Sequence, residues 1–174
     1  MTMDILGLIR TRRSIRKFTP EKVNEDDIGK LVEAGRWAPS SGNRQPWKFI
    51  VVTNRAKIQE LSSVLATGRF ISEAPLAIAV VVDPTASRRY LEDGAAAIQN
   101  ILLEAHAIGL GACWIGCYNA PQEDPARNLL NIPGSERLQA IIAVGHPVET
   151  QEKTRKNIDE IVFYESYRSP LNQD

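Results

Sequence analysis

Apolar and polar positions alternate along the chain in patterns that predict an ordered series of strands and helices. Four β-branched or apolar runs bounded by turn-forming residues predict buried strands, at 47–53, 76–82, 112–118 and 138–144. Apolar residues at helical spacing predict about five helices. These helices cover residues near 3–11, a segment that starts after Asn24 and stops before Pro39, 57–67, 90–108 and roughly 121–130.

Two of these helices carry further signals. Asn24 can cap the second helix, and Glu25, Asp26 and Asp27 fill its first turn, where negative charge suits the helix dipole. The helix at 90–108 is rich in Ala and Leu, with apolar residues on all sides. This composition predicts a central, largely buried helix.

The segment 157–167 follows an apparently complete core and is again apolar. Its large side chains are Ile158, Ile161, Val162, Phe163, Tyr164 and Tyr167. Such an arm can pack on a neighbouring chain, which predicts a homodimer with exchanged C-terminal arms. An arm that folds back on its own core is the alternative.

Composition narrows the class of protein. The 174 residues show no repeat, low-complexity tract or linker, so we expect a single domain over 1–174. The chain has 21 basic and 21 acidic residues, and zero net charge argues against nucleic acid or an anionic membrane as a partner. With no long apolar run and no signal peptide, a cytoplasmic protein is predicted.

The charge is nevertheless concentrated locally. Residues 10–17 contain five cations, and 5–20 contain no acidic residue. Guanidinium groups beside the Ser14 hydroxyl suit a phosphate, although a solvated basic helix end is the simpler interpretation. Lys153 and Arg155 follow the last strand candidate. They offer a second pair of cations that could hold the same phosphate from the other side.

Two other segments have the composition of ligand-binding loops. The loop 39–47 offers hydroxyls and amides to a flat polar heterocycle, but turns use the same residues. The segment 109–116 follows a helix and opens a strand, the reverse of the order in a Rossmann glycine loop. Its glycines either admit a ligand or end the helix. Cys113 and Cys117 could share a strand face, yet small apolar packing is favoured over metal binding, and no metal is predicted.

In combination these motifs resemble the nitroreductase family of flavin mononucleotide (FMN) oxidoreductases. The resemblance is carried by RRSIRKF at 12–18, AGRWAPSSGNRQPW at 34–47, GLGACWIG at 109–116, GHP at 145–147, KTR at 153–155 and EIVFYE at 160–165. It implies an α+β fold, in which helices flank a mainly antiparallel central sheet and a C-terminal arm is exchanged in a homodimer. It also implies an enzyme that takes hydride from NADH or NADPH onto flavin N5. Electrons would then pass to a nitroaromatic, quinone or similar small electron-poor acceptor by a ping-pong mechanism.

The resemblance also implies roles for individual residues. The phosphate contacts would be Arg12, Arg13, Ser14, Lys153 and Arg155. The loop that reaches a flavin bound mainly by the other subunit would contribute Pro39, Ser40, Ser41, Asn43 and Gln45. The stretch beside the flavin ring would be Trp114, Ile115 and Gly116. Catalytic roles are implied for Arg16, as a cation at the pyrimidine edge, and for Gly116, in the stretch whose main-chain amide would lie close to N5.

The chain departs from longer family members in one region. Only about twenty residues separate Thr53 from Pro75, so no extended lid is expected, and Arg69 is the only weak candidate for a flavin contact there. This shortening leaves the acceptor open. Alternatives are a specialised flavin enzyme such as a dehalogenase or a flavin-fragmenting enzyme, a non-catalytic flavin-binding or sensing protein, and a phosphate or nucleic-acid binding module.

Overall fold

A computed structural model of the chain describes residues 4–149 and 152–167, and this part contains four strands and five α-helices. The numbers match those expected from the sequence. The helices are α1 (Ile5–Thr11), α2 (Glu25–Arg36), α3 (Arg55–Val64), α4 (Tyr90–Ala107) and α5 (Glu123–Leu129). The strands are β1 (Trp47–Val52), β2 (Leu76–Val82), β3 (Gly111–Gly116) and β4 (Arg137–Gly145). Met3, placed in the first helix by the sequence, lies outside the described residues.

The four strands form one sheet in the order β1-β2-β4-β3, and each neighbouring pair is antiparallel. β2 and β4 lie in the middle and are apolar almost throughout, because helices cover both faces of the sheet. Ala77, Ala79 and Val81 of β2 pack in the cluster that contains α3 and α5 residues. The alternate β2 residues pack in the cluster that contains α2 and α4 residues. The predicted fold, an antiparallel sheet flanked by helices, is confirmed.

The predicted cap of α2 and the central position of α4 are confirmed. Asn24 caps α2, because its side chain accepts a hydrogen bond of 2.8 Å from the Asp27 amide. α4 packs against α2 and the sheet, as expected of a central helix. The bounds of α3 differ from the prediction: it covers Arg55–Val64 rather than 57–67, and its earlier start is set by Asn54, which caps it by accepting from the Lys57 amide at 3.0 Å.

β3 also ends earlier than predicted, which affects the two cysteines. β3 ends at Gly116, so Cys117 lies beyond the strand and the expectation that both thiols share one strand face is wrong. Both thiols are buried, and burial raises the pKa of Cys117 to about 12 and also raises that of Cys113. In the described part of the chain no cluster of three or more His, Cys, Asp or Glu residues could hold a metal ion.

The ends of the chain contrast with this buried core. Residues 152–167 form only a short 3-10 turn at Ile158–Glu160, and α1 contains no buried residue. Large apolar side chains are exposed in both segments: Ile5, Leu6, Ile9, Ile158, Ile161, Phe163, Tyr164 and Tyr167. The C-terminal segment therefore does not pack into the core of its own chain. Within the described ranges, no helix combines the length and the apolar character that a membrane span needs.

Candidate functional site

The basic segment after α1 is fixed against the edge of the sheet at β3. The Ile15 amide donates a hydrogen bond of 3.0 Å to the carbonyl of Ala112, and Ser14 forms an isolated parallel bridge with the same residue. The Ile15 side chain packs directly on Gly111, where an added Cβ would lie 2.8 Å from it. The absence of a side chain at Gly111 therefore allows the two backbones to approach closely.

This segment and the C-terminal KTR motif border one cavity of about 190 Å³. Its lining residues, five cations and one hydroxyl, are Arg12, Arg13, Ser14, Arg16, Lys153 and Arg155. The structure thus brings together all five residues predicted to contact a phosphate, together with Arg16. No acidic side chain is among the lining residues. Guanidinium forks, an ammonium group and a hydroxyl are the donors that a phosphate dianion accepts from, so the residues present fit this group.

The arginines of this cavity have different local partners. Arg13 uses Nη1 to donate to the carbonyls of Arg10 at 2.6 Å and Arg12 at 2.8 Å, so part of its fork holds the end of α1 in place. Arg16 lies over the ring of Phe70, 5.7 Å from its centroid, which is within the range of a cation–π contact. No sequence motif points to Phe70 as a neighbour of Arg16.

His106 of α4 was also missed. Its Nε2 lies 2.8 Å from the hydroxyl of Thr11, the last residue of α1, so it links α4 to the start of the basic segment. Burial lowers the pKa of His106, and the positive charges of Arg12 and Arg13 lower it further. A neutral imidazole is therefore favoured beside the cationic cavity. Nothing local in the sequence pairs positions 11 and 106.

The loop between α2 and β1 lies elsewhere, because none of its residues lines the cationic cavity. It has unusual backbone geometry: Asn43 and Gln45 are left-handed, with φ of 56° and 48°, as is Gly42 with φ of 58°. The side chains of Asn43 and Gln45 are exposed. Strained conformations of this kind concentrate at functional sites, where surrounding contacts maintain them.

Two hydrogen bonds hold this loop in shape. The Gln45 amide donates to Ser40 Oγ at 2.9 Å, and the Ser41 amide donates to Oδ1 of Asp93 at 2.9 Å. Asp93 is almost completely buried in the first turn of α4. It was not predicted as a functional residue, because only the folded chain shows that its carboxylate anchors the loop. Pro39, the first predicted loop contact, is exposed.

The predicted ring-side stretch on β3 alternates in exposure. Trp114 and Gly116 are exposed, whereas the side chain of Ile115 is buried. A Cβ added to Gly116 would meet no heavy atom within 4 Å, so there is open space beside it. The Gly116 carbonyl accepts a hydrogen bond of 2.8 Å from Gln122 Nε2, which fixes the end of the strand. Trp114 and Gly116 are therefore the members of this stretch that a ligand can reach, while Ile115 pairs with Ile141 of β4.

These features coincide with a match to a known protein family. The model of the nitroreductase family matches residues 9–68 and 62–146. The chain belongs to the nitroreductase family. The family and the enzyme class predicted from the motifs are thereby confirmed.

Individual family members cover most of the chain. A protein of Methanothermobacter thermautotrophicus, provisionally named an NADH dehydrogenase/NAD(P)H nitroreductase, is 40% identical over 153 residues, which are 84% of this chain and 79% of that protein. The FMN reductase [NAD(P)H] of Bacillus subtilis is 27% identical, with 98% of this chain and 76% of that protein covered. The structure of an FMN-dependent nitroreductase from Clostridium difficile R20291 has a TM-score of 0.87 and 32% identity. It matches 94% of this chain and 100% of that one.

The region between β1 and β2, where the sequence suggests no extended lid, is short in the structure. Between β1 and β2 the chain forms α3 and a 3-10 turn at Arg69–Glu73, and the Ser62 hydroxyl donates to the Arg69 carbonyl at 2.9 Å. Arg69 is exposed and does not line the cationic cavity. A flavin contact by Arg69 stays a prediction.

Proposed function

We propose that the protein is an FMN-dependent oxidoreductase. It accepts hydride from NADH or NADPH on flavin N5 and passes electrons to a small electron-poor acceptor, such as a nitroaromatic or a quinone, by a ping-pong mechanism. The observation that carries this proposal is the cavity in which Arg12, Arg13 and Ser14 meet Lys153 and Arg155. The flavin supplies the redox chemistry, and the protein binds it and adjusts its surroundings.

The cationic cavity is the proposed site of the FMN phosphate. Five positive side chains converge there from two distant segments of the chain, and hydrogen bonds between charged partners are the strongest available to a phosphate. Ser14 bridges Ala112 through its backbone, so the segment that carries its hydroxyl is fixed to the sheet before any ligand arrives. This preorganisation reduces the entropy that binding costs.

Arg16 and the end of β3 are the proposed surroundings of the flavin ring. Arg16 lies at the cavity and is held over Phe70, where its fixed positive charge can stabilise negative charge at the pyrimidine edge of reduced flavin. The open space beside Gly116 and the exposed Trp114 leave room for a ring whose other face stays accessible. This openness favours an enzyme over a flavin-binding protein with a blocked ring.

The functional unit is proposed to be a homodimer with exchanged C-terminal arms. The exposed apolar side chains of α1 and of residues 158–167 need a partner surface, and β1 is an edge strand of the sheet. The strained loop at 39–46 lies away from the cationic cavity of its own chain. From these features we infer that the loop contacts the flavin of the other subunit, so that each site uses both chains.

Stopped-flow absorbance tests the proposed reaction. The purified protein should be yellow, and anaerobic mixing with NADH or NADPH should bleach the bound flavin. A second mixing step with a quinone should restore the oxidised spectrum without the nicotinamide product present, as ping-pong turnover requires. Flavin that remains oxidised with both nicotinamides would reject the oxidoreductase proposal, and a colourless protein that cannot be loaded with FMN would reject the cofactor.

A further inference from the structure

A second cationic cavity lies between the strained loop and the start of α4. It has a volume of about 460 Å³. Its lining residues are Ser41, Arg44, Thr85, Ala86, Arg88 and Arg89. None of them lines the proposed phosphate site for FMN. Three guanidinium groups therefore converge at a place that the proposed role of the first cavity does not explain.

The buried carboxylate of Asp93 assembles this cavity from two segments. Its Oδ1 accepts the Ser41 amide of the loop at 2.9 Å, and its Oδ2 accepts the Ser87 hydroxyl at 2.6 Å. The same Ser87 oxygen accepts the Arg89 amide at 3.1 Å. Arg44 of the loop consequently lines the same cavity as Arg88 and Arg89.

Three acids, Asp83, Glu92 and Asp93, lie beside the cavity and have partners other than Arg44 and Arg88. Glu92 pairs with Arg89 at 3.0 Å, and both side chains are well exposed. Asp83 accepts hydrogen bonds from the amide and hydroxyl of Thr85, so its carboxylate is already engaged. Arg44 makes only a long contact of 3.4 Å to the Ser41 carbonyl. Among the described residues neither Arg44 nor Arg88 forms an ion pair, so both guanidinium groups can bind an anion.

A helix end adds to this charge. α4 is 18 residues long and begins at Tyr90, immediately after Arg88 and Arg89. Its N-terminal dipole contributes further positive potential to the cavity that these two arginines line.

We propose that this cavity binds a phosphate monoester, the 2′-phosphate of NADPH. This inference rests on the proposed function, because Ser41 belongs both to the cavity and to the loop inferred to reach the flavin of the other subunit. The reductant must dock near that flavin. NADPH differs from NADH only by the 2′-phosphate, so a cationic cavity at this point should make the enzyme prefer NADPH.

The expected preference for NADPH over NADH can be tested by removing either a positive or a negative charge at the cavity. Arg88→Ala should lower kcat/KM for flavin reduction by NADPH on the order of tenfold and change that for NADH less than about twofold. Glu92→Gln frees Arg89 and should raise kcat/KM for NADPH. Lys57→Ala and Glu60→Gln remove the same charges from an exposed pair on α3 and serve as matched controls. Equal effects of Arg88→Ala on both nicotinamides, or a wild-type protein that does not prefer NADPH, would overturn the inference.

Calorimetry on the FMN-loaded protein gives a readout that is independent of turnover. Adenosine 2′,5′-bisphosphate should bind more tightly than adenosine 5′-monophosphate, and Arg88→Ala should remove most of the difference. Inorganic phosphate that binds as tightly as the bisphosphate would contradict a nicotinamide-cofactor site. If NADH bleaches the flavin while these variants have no selective effect, only this inference fails; if neither nicotinamide bleaches it, the proposed function fails as well.

Discussion

The two segments that border the first cationic cavity are built differently. The N-terminal segment is hydrogen-bonded to the sheet and buries Ile15 and Phe18, which are 6% and 7% exposed. The C-terminal segment leaves Ile158 and Tyr167 70% and 79% exposed. One half of the site is therefore stabilised by its own chain. The other half brings apolar surface that a single chain does not cover, and this difference is the main reason for proposing a dimer.

The largest expected effect comes from the exposed half. In the double variant Ile158→Asp with Ile161→Asp, two carboxylates would be buried at the proposed interface, and association should weaken at least on the order of a hundredfold. Sedimentation at low concentration should then show single chains that have lost the yellow colour. The matched control replaces both residues with Leu. A yellow, stable monomer would contradict a site that needs both subunits.

The second effect compares one cation from each half. Arg12→Ala and Arg155→Ala should each weaken FMN binding on the order of tenfold or more, because each removes a charged contact to the phosphate. Thermal melting of the flavin-free protein should barely change. Lys17→Ala is the control, since Lys17 lies in the same basic segment but pairs with Glu149 and does not line the cavity. Wild-type flavin affinity in the Arg155 variant would remove the C-terminal segment from the site.

Two glycines of β3, next to the N-terminal segment, allow effects on stability to be distinguished from effects on flavin reduction. Gly111→Ala should destabilise the protein by about 1–3 kcal/mol, because the new Cβ would lie 2.8 Å from Ile15. Gly116→Ala should leave stability unchanged, since nothing lies within 4 Å, but it should slow flavin reduction. Urea unfolding and stopped-flow bleaching measure the two outcomes. An unchanged bleaching rate in the second variant would place the flavin ring elsewhere.

The smallest expected effect is the contribution of His106, which contacts the end of α1, to the pH dependence of folding stability. Its pKa in the folded protein is lowered from the ordinary value of 6.5, mainly by burial. The unfolded chain therefore binds more protons than the folded one. The contribution of His106 to the free energy of unfolding is complete above pH 6.5 and is lost as the pH falls through the folded pKa. Melting temperatures across this range should fall less in His106→Gln than in the wild type. Identical pH profiles would contradict this assignment.

Much of this fold was predictable because its signals are local. The strands are bounded by turn residues, and Asn24 caps α2 within its own first turn. The residues that line the first cationic cavity were predictable because Arg12, Arg13 and Ser14 are adjacent and Lys153 and Arg155 belong to a recognisable motif. Their meeting at one cavity was an expectation that only the folded chain could test.

The residues that were missed act through long-range pairing. Phe70 beneath Arg16 and His106 beside Thr11 are each brought into place by the sheet and helix packing. Asp93 looked like an ordinary helix residue, and its role depends on a loop 52 positions away. The left-handed backbone at Gln45 was also unpredictable, because Gln has no particular tendency towards that conformation.

We propose that two distant basic segments hold one phosphate, and FMN and riboflavin differ by just that group. Calorimetry should therefore compare both ligands in the wild type and in the double variant Arg12→Ala with Arg155→Ala. We expect the wild type to bind FMN at least on the order of a hundredfold more tightly than riboflavin. The double variant should lose most of this advantage while its riboflavin affinity stays the same. Equal weakening of both ligands, or no wild-type preference for FMN, would contradict a phosphate held by both segments.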